Sequence, residues 1–257
     1  MFSRFLKWAG GGKGRNEEIL IPEGVDYAFI GADIHSHFIP GIDDGAKTIE
    51  DSLTLLRNMR DMGFKKIVTT PHIMIDFYPN TRHTILSGLD QVREAAVKNN
   101  IELDISAAAE YYIDESFIEL VEREPLLPVH KNEVLVEFSM LYEPPMLNNA
   151  LFRMQSSGYK PIIAHPERYV FFHNNFDRFQ EFRDRGCYLQ LNLLSLSGYY
   201  GRNVMDAAHK LLAKGMYDYC GSDMHHEKHS AALKGMLRTN IYNALAQYPF
   251  LNSKLCL

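Results

Sequence analysis

Ala28-Phe29-Ile30-Gly31-Ala32-Asp33-Ile34-His35-Ser36-His37 is an apolar, strand-like run that ends on two histidines one residue apart. Alternate side chains of an extended strand share a face, so His35 and His37 point together while Ser36 points away, as two ligands of one ion require. The pattern returns along the chain. Strand-like runs are predicted at 28–34, 66–70, 103–109, 133–138, 160–164, 188–193 and 217–221, seven in all. His72 follows the second, Glu110 the third and His165 the fifth, Glu137 lies at the end of the fourth, and Asp223 and His225 follow the seventh.

Between these runs lie helix-like stretches at 49–62, with Leu53, Leu56 and Met59 at helical spacing, and at 81–98, 145–157, 176–185, 203–214 and 231–246. Strand and helix in alternation point to α/β architecture, a parallel sheet with helical crossovers. No GxGxxG or GxxxxGK[ST] loop supports an open doubly wound sheet, so a closed TIM-like barrel of about seven strands is expected. In such a barrel every strand delivers its C-terminal end to one mouth. The polar residues after the strands would therefore converge.

The chain has 257 residues, 46% apolar and 23% charged, as an ordinary globular protein does. We read one domain over 28–257, preceded by an arm over 1–27 with a glycine-rich joint at 10–14. A formal net charge of −5 disfavours nucleic acid as a partner. No segment is long and apolar enough to span a bilayer, and residues 1–8 lack the apolar core of a signal peptide; Phe2, Phe5, Leu6 and Trp8 among basic residues leave a weak peripheral membrane contact open. Three cysteines with no CxxC pair fit a reducing cytoplasm.

Any one of these histidines, taken alone, is better explained as a hydrogen-bonding structural residue. The set is not, because each buried polar group would need a partner of its own. A shared metal cluster serves them together. Imidazole mixed with carboxylate suits catalytic zinc, manganese or iron, and the candidates exceed what one ion can use.

The motifs Asp33-Ile34-His35-Ser36-His37, Asp43-Asp44-Gly45, Thr70-Pro71-His72, Ala109-Glu110-Tyr111-Tyr112, Val136-Glu137-Phe138-Ser139, Ala164-His165-Pro166-Glu167-Arg168-Tyr169 and Ser222-Asp223-Met224-His225 together resemble the PHP-superfamily protein-tyrosine phosphatases of bacterial capsule and exopolysaccharide clusters. The resemblance covers the chain beyond the arm. It implies a distorted PHP-type barrel holding a trinuclear centre, commonly manganese, and hydrolysis of phosphotyrosine on a tyrosine autokinase. The implied ligands are His35, His37, Asp43, His72, Glu110, Glu137, His165, Asp223 and His225, with Glu110 in the place of a bridging carboxylate. Arg168, Asp44 and His225 are the implied catalytic residues. Sequence alone does not separate Asp43 from Asp44; the one that is not a ligand would cap the turn or hold a histidine.

The chemistry expected is metal-assisted phosphoryl transfer, with an ion-activated water attacking phosphorus opposite the leaving oxygen and Arg168 gripping the phosphate oxygens. For Arg168 alone, an ion pair with Glu167 is the plain alternative. A thiolate mechanism is excluded, since the arginine it needs six positions after the cysteine is Leu193 after Cys187 and His226 after Cys220. His226 and His229 are read as solvated loop residues. Two departures from the family pattern stand out: residues 73–78 read Ile-Met-Ile-Asp-Phe-Tyr where some members carry basic residues, and a second phosphate-binding arginine after Asp223-Met224-His225 is absent. Arg202 and Lys228 are candidates to compensate. A phosphoesterase acting on a small metabolite phosphate, and a catalytically weak regulatory partner of the kinase, are the competing readings.

Overall fold

Nine short strands, all paired in parallel, and eight α-helices make up residues 24–256, which the computed structural model describes. The strands are β1 (Ala32–Asp33), β2 (Lys66–Thr69), β3 (His72–Ile73), β4 (Asp104–Ala107), β5 (Glu110–Tyr112), β6 (Glu133–Glu137), β7 (Lys160–Ala164), β8 (Tyr188–Asn192) and β9 (Tyr219–Gly221). They form a three-stranded sheet, β1-β2-β4, and a six-stranded sheet, β3-β5-β6-β7-β8-β9. The helices are α1 (Ile49–Asp61), α2 (Arg82–Lys98), α3 (Glu115–Arg123), α4 (Leu147–Ser156), α5 (Asp177–Asp184), α6 (Arg202–Ala213), α7 (Glu227–Met236) and α8 (Asn240–Ala246).

The nine strands are seven in topology. Thr69 pairs with Ala107 and His72 with Glu110, the same offset on both sides of the gap, so β2 and β3 are one strand interrupted and β4 and β5 its interrupted neighbour. Pro71 is the cause, because it has no N–H to give the ladder; Thr70 donates instead to Ser36 O at 2.6 Å. The ring closes where Asp223 N–H donates to His35 O (2.7 Å) and His37 N–H to Met224 O (2.9 Å). The result is the expected barrel with seven runs in sequential order.

The core divides by strand periodicity. Ile34, Val68, Ala108, Leu135, Ile162 and Tyr219 belong to a small cluster that fills the barrel, whereas Ile67, Val134, Val136, Ile163 and Cys220 pack outward against the helices in the main cluster. Each large apolar side chain so buried contributes about 1.5–3 kcal/mol. Helix starts are fixed locally: Thr48 and Asp51 form a capping box on α1, and Asp114 accepts from Phe117 N–H at the head of α3.

Several expectations need correction. The strand predicted at 28–34 pairs only over Ala32–Asp33, because Ile30 N–H turns back to Tyr27 O at 2.9 Å. The strand predicted at 217–221 is paired only over Tyr219–Gly221. The helix predicted over 231–246 is two, interrupted where Thr239 caps α8 by accepting from Ile241 N–H. Helix α3, nine residues long, has no counterpart among the predicted helices. The arm expected over 1–27 lies outside the described residues except for 24–27, and so do the glycine joint and the amphipathic opening. Tyr27 is fully buried, its hydroxyl donating to Leu233 O at 2.8 Å.

Candidate metal centre

Histidines and carboxylates from six of the seven runs meet at the C-terminal mouth of the barrel. Three overlapping groups have ligand atoms within 4.8 Å of one another: His35, His37, Glu110 and Asp223; His72, Glu110 and Glu137; and His37, Asp44, His72 and His225. Glu110 is central. Its Oε2 lies 3.0 Å from His35 Nε2, 3.5 Å from His37 Nε2 and 3.3 Å from His72 Nδ1, and its Oε1 lies 3.1 Å from His165 Nε2. His165 thus reaches the cluster through Glu110, with Glu137 Oε2 at 3.8 Å.

What stands behind the imidazoles decides what they offer to the centre. His35 Nδ1 donates to Gln190 Oε1 (2.9 Å), His37 Nδ1 to Asp43 Oδ2 (2.8 Å) and His225 Nδ1 to Asp223 O (2.9 Å). In each case the proton is held on Nδ1, so the Nε2 lone pair faces inward, as in metal-ligating histidines. His37 Nε2 and His72 Nδ1 are buried with no hydrogen-bond partner, although buried nitrogens nearly always have one. Inward lone pairs, orphaned nitrogens and buried carboxylates fit divalent ions of the zinc, manganese or iron type, and the sharing of His37, His72 and Glu110 between groups fits more than one ion.

The electrostatics agree. Burial opposes charge on His35, yet Glu110 and Asp223 overcome it and lift its pKa to about 9. Burial likewise opposes the charge on Glu110, and the surrounding histidines, His35 foremost, hold it well below the usual carboxylate range. Asp44 is only half-buried; desolvation raises its pKa, but the hydrogen bond to His225 and the charges of His225, His72 and His37 together outweigh it and bring it to about 2. The mouth demands positive charge.

Asp43 and Asp44 are separated by geometry. Asp43 turns away from the cluster, accepting from His37 Nδ1–H, from Gly45 N–H at 2.9 Å and from His72 N–H at 3.2 Å. Asp44 reaches inward, its Oδ1 3.5 Å from His72 Nε2 and 3.4 Å from His225 Nε2. The turn that follows them requires glycine at position 45, where a Cβ would meet His37 O at 2.2 Å.

Arg168 does not pair with Glu167. Its Nη1 donates to Asp223 Oδ2 at 2.9 Å and its guanidinium lies 4.6 Å over the Tyr200 ring. Glu167 turns inward instead, its Oε1 accepting from Asn192 N–H and its Oε2 from Tyr217 O–H, both at 3.0 Å. Among the described residues, Arg168 is the one Arg or Lys paired with a cluster carboxylate. Arg202 is exposed and, among the described residues, approaches one carboxylate, Asp206, at 3.8 Å. His229 also departs from expectation: it is 7% exposed, with Nδ1 accepting from His225 N–H at 3.3 Å, and burial pushes its pKa down to about 4. His226 caps α7 by accepting from His229 N–H.

Gln190, Asn192 and Tyr200 were not anticipated as site residues. Gln190 holds His35 and lies 3.3 Å from His165 N, while Asn192 Nδ2 donates to Asp223 Oδ2 (2.9 Å) and Tyr200 Oη (3.2 Å). The alternation Leu189-Gln190-Leu191-Asn192-Leu193 carries the signal, two amides on the inward face of an apolar strand. Two site residues, His165 (φ 32°) and Asp223 (φ 49°), adopt the left-handed conformation that L-residues avoid, as functional sites often do.

The profile of the family described as capsular polysaccharide synthesis, CpsB/CapC, matches residues 31–239. The chain is 32% identical over 199 residues to the tyrosine-protein phosphatase CpsB of Streptococcus pneumoniae, covering 75% of this chain and 82% of that protein. It is 27% identical over 197 residues to the tyrosine-protein phosphatase YwqE of Bacillus subtilis, covering 76% and 78%. Among solved structures, one from the work on YwqE and CpsB, described as unique metal-dependent tyrosine phosphatases, superposes with a TM-score of 0.73 at 25% identity, covering 82% of this chain and 90% of that one. An amidohydrolase from Mycoplasma synoviae shares the fold alone, with a TM-score of 0.51 at 12% identity, covering 90% and 84%.

Proposed function

Because the chain belongs to the CpsB/CapC family of capsular polysaccharide synthesis, we propose that it is a metal-dependent protein-tyrosine phosphatase. The observation that carries this reading is the convergence of inward imidazole lone pairs on Glu110 and Asp223 at the barrel mouth. The ligand set we propose is His35, His37, Asp44, His72, Glu110, Glu137, His165, Asp223 and His225, with Asp43 as the residue that orients His37. These residues would hold three ions, and manganese is the metal we expect. Bound ions supply Lewis-acid stabilisation of the phosphate oxygens and an ionisable water as nucleophile.

The chain supplies the rest. Arg168 has one donor engaged by Asp223, which leaves its other N–H groups for phosphate oxygens. A tyrosine leaving group, with a phenolic pKa of about 10, departs without a strong general acid. Asp43, Gln190 and the Asp223 carbonyl keep the Nδ1 protons of His37, His35 and His225 in place. The substrate we propose is a tyrosine autokinase controlling capsule or exopolysaccharide synthesis, met in the cytoplasm. Among the described residues no helix is long and apolar enough to cross a membrane.

Hydrolysis of a phosphotyrosine peptide tests the reading. Chelation should abolish phosphate release and manganese should restore it; His35→Ala should be inactive and a cysteine-free variant active. Turnover that persists in chelator would sink the metal mechanism, and turnover of small alkyl phosphates without phosphotyrosine would favour the metabolite phosphoesterase.

A further inference from the structure

The loop after β3 is a braced tongue. Met74 and Tyr78 form an antiparallel bridge, with Met74 N–H donating to Tyr78 O (3.0 Å) and Tyr78 N–H to Met74 O (2.7 Å). Asn80 fastens the base, its Nδ2 donating to Ile42 O (2.8 Å) and to His72 O (2.9 Å). Tyr78 stacks on His72 with ring centroids 5.3 Å apart and planes 14° from parallel. The tongue is therefore tied to a cluster histidine by main chain and by ring.

At its tip Ile75 and Phe77 are 55% and 69% exposed. Holding them in water forgoes about 25 cal/mol for each Å² of apolar surface left uncovered. They have company. Of the eight large hydrophobics exposed among the described residues, six stand between a strand's C-terminal end and the next α-helix: Ile75, Phe77, Leu141, Tyr142, Val170 and Tyr199. Apolar exposure is thus concentrated around the mouth, as at a binding rim. The tongue carries one charge, on Asp76. Its tip is apolar around a single carboxylate.

Resting on the phosphatase reading, we infer that this tongue selects the substrate: Ile75 and Phe77 receive an apolar or aromatic side chain next to the phosphotyrosine of an extended peptide. A phosphotyrosine whose phosphate reaches the cluster keeps its backbone at the rim. Its neighbours, about 3.3 Å along the chain per residue, then lie against the loops. Apolar neighbours cover the tip, acidic ones meet Asp76, and a small phosphometabolite has nothing to place there.

Three probes test this on the manganese-loaded protein: p-nitrophenyl phosphate, a phosphotyrosine peptide flanked by Leu and Phe, and the same peptide flanked by Asp. The unaltered protein should prefer the apolar peptide to the acidic one by about tenfold in kcat/KM, the worth of one well-buried side chain. The double variant Ile75→Ser/Phe77→Ser should lower that ratio to what Asp76 alone contributes and lose about tenfold more on the apolar peptide than on the small aryl phosphate. Equal losses on all probes, or an unmoved ratio, overturn the inference. Phe77→Ser alone keeps the test decisive should the double variant fold poorly. If no probe is turned over, the phosphatase reading fails by itself, and fluorescence anisotropy of the labelled peptides on the metal-loaded protein still reads the preference.

Discussion

Asp43 and Asp44 are neighbours with opposite duties in the proposed centre, and substitution separates them. Asp44→Asn removes an inward donor, so metal content measured by elemental analysis should fall by one ion in three. Asp43→Ala leaves every donor in place but releases the His37 Nδ1 proton from its acceptor, so full content is reached only at about 10- to 100-fold higher free manganese, the usual cost of losing such a support. Equal stoichiometry and affinity in the two variants would show that the distinction is wrong. The cysteines make a separate case at this scale. Burial pushes the Cys187 thiol up to about 12 and the Cys220 thiol well above its ordinary value, so neither forms the nucleophilic thiolate at neutral pH. Thiol titration of the native protein should find Cys256, the exposed one, react first, with all three reacting after denaturation. Alkylation at Cys256 should leave phosphatase activity intact; stoichiometric inactivation would reopen the thiolate mechanism.

The loops after β7, β8 and β9 act together through a closed circuit: Arg168 pairs with Asp223, Asp223 accepts from Asn192, Asn192 donates to Tyr200, and the Tyr200 ring lies under Arg168. Tyr200 positions the guanidinium without being placed to touch the reacting atoms. Tyr200→Leu removes the cation–π face, worth about 0.5–2 kcal/mol, and should raise KM for phosphotyrosine and weaken phosphate inhibition by about 2- to 30-fold with metal content unchanged. Tyr200→Phe keeps the ring and should stay near the unaltered protein; parallel loss in both variants would deny the positioning role. The circuit also shows what was legible in the sequence. His35, His37, His72, Glu110, Glu137, His165, Asp223 and Arg168 announce themselves by standing at the ends of apolar runs. Gln190 and Asn192 hide inside such a run, where an amide reads as a tolerated exception until its partner is known. Asp43 and Asp44 differ only in which way each side chain faces, and that is read from partners the sequence does not place: His37 Nδ1–H and His72 N–H for Asp43, the His72 and His225 rings for Asp44. Helix α3 was lost because nine residues hold little more than two turns of periodicity.

Barrel closure and metal binding are one event at the scale of the whole molecule. The first and last runs are latched by Asp33, which accepts from Ser222 N–H (2.7 Å) and Ser222 Oγ–H (2.9 Å) across 189 residues of sequence. Directly beyond that latch the same two runs deliver His35, His37, Asp223 and His225 to the centre. Ligands so far apart in sequence come together only in the folded chain, so an ion bound to them binds the native state and scarcely the unfolded one. Such an ion stabilises by about 4 kcal/mol when free metal exceeds its Kd a thousandfold. At about 2–4 °C per kcal/mol for a chain of this size, chelation should lower Tm by about 8–16 °C for each ion removed, and Tm should climb with the logarithm of manganese concentration. In His35→Ala that climb should flatten, whereas Asp33→Ala, which strands the buried Ser222 N–H and leaves its hydroxyl only His35 O, should lower Tm at every concentration while keeping the slope. A melting temperature indifferent to chelator and manganese would mean that the cluster holds no ion, and the proposed catalysis would fall with it.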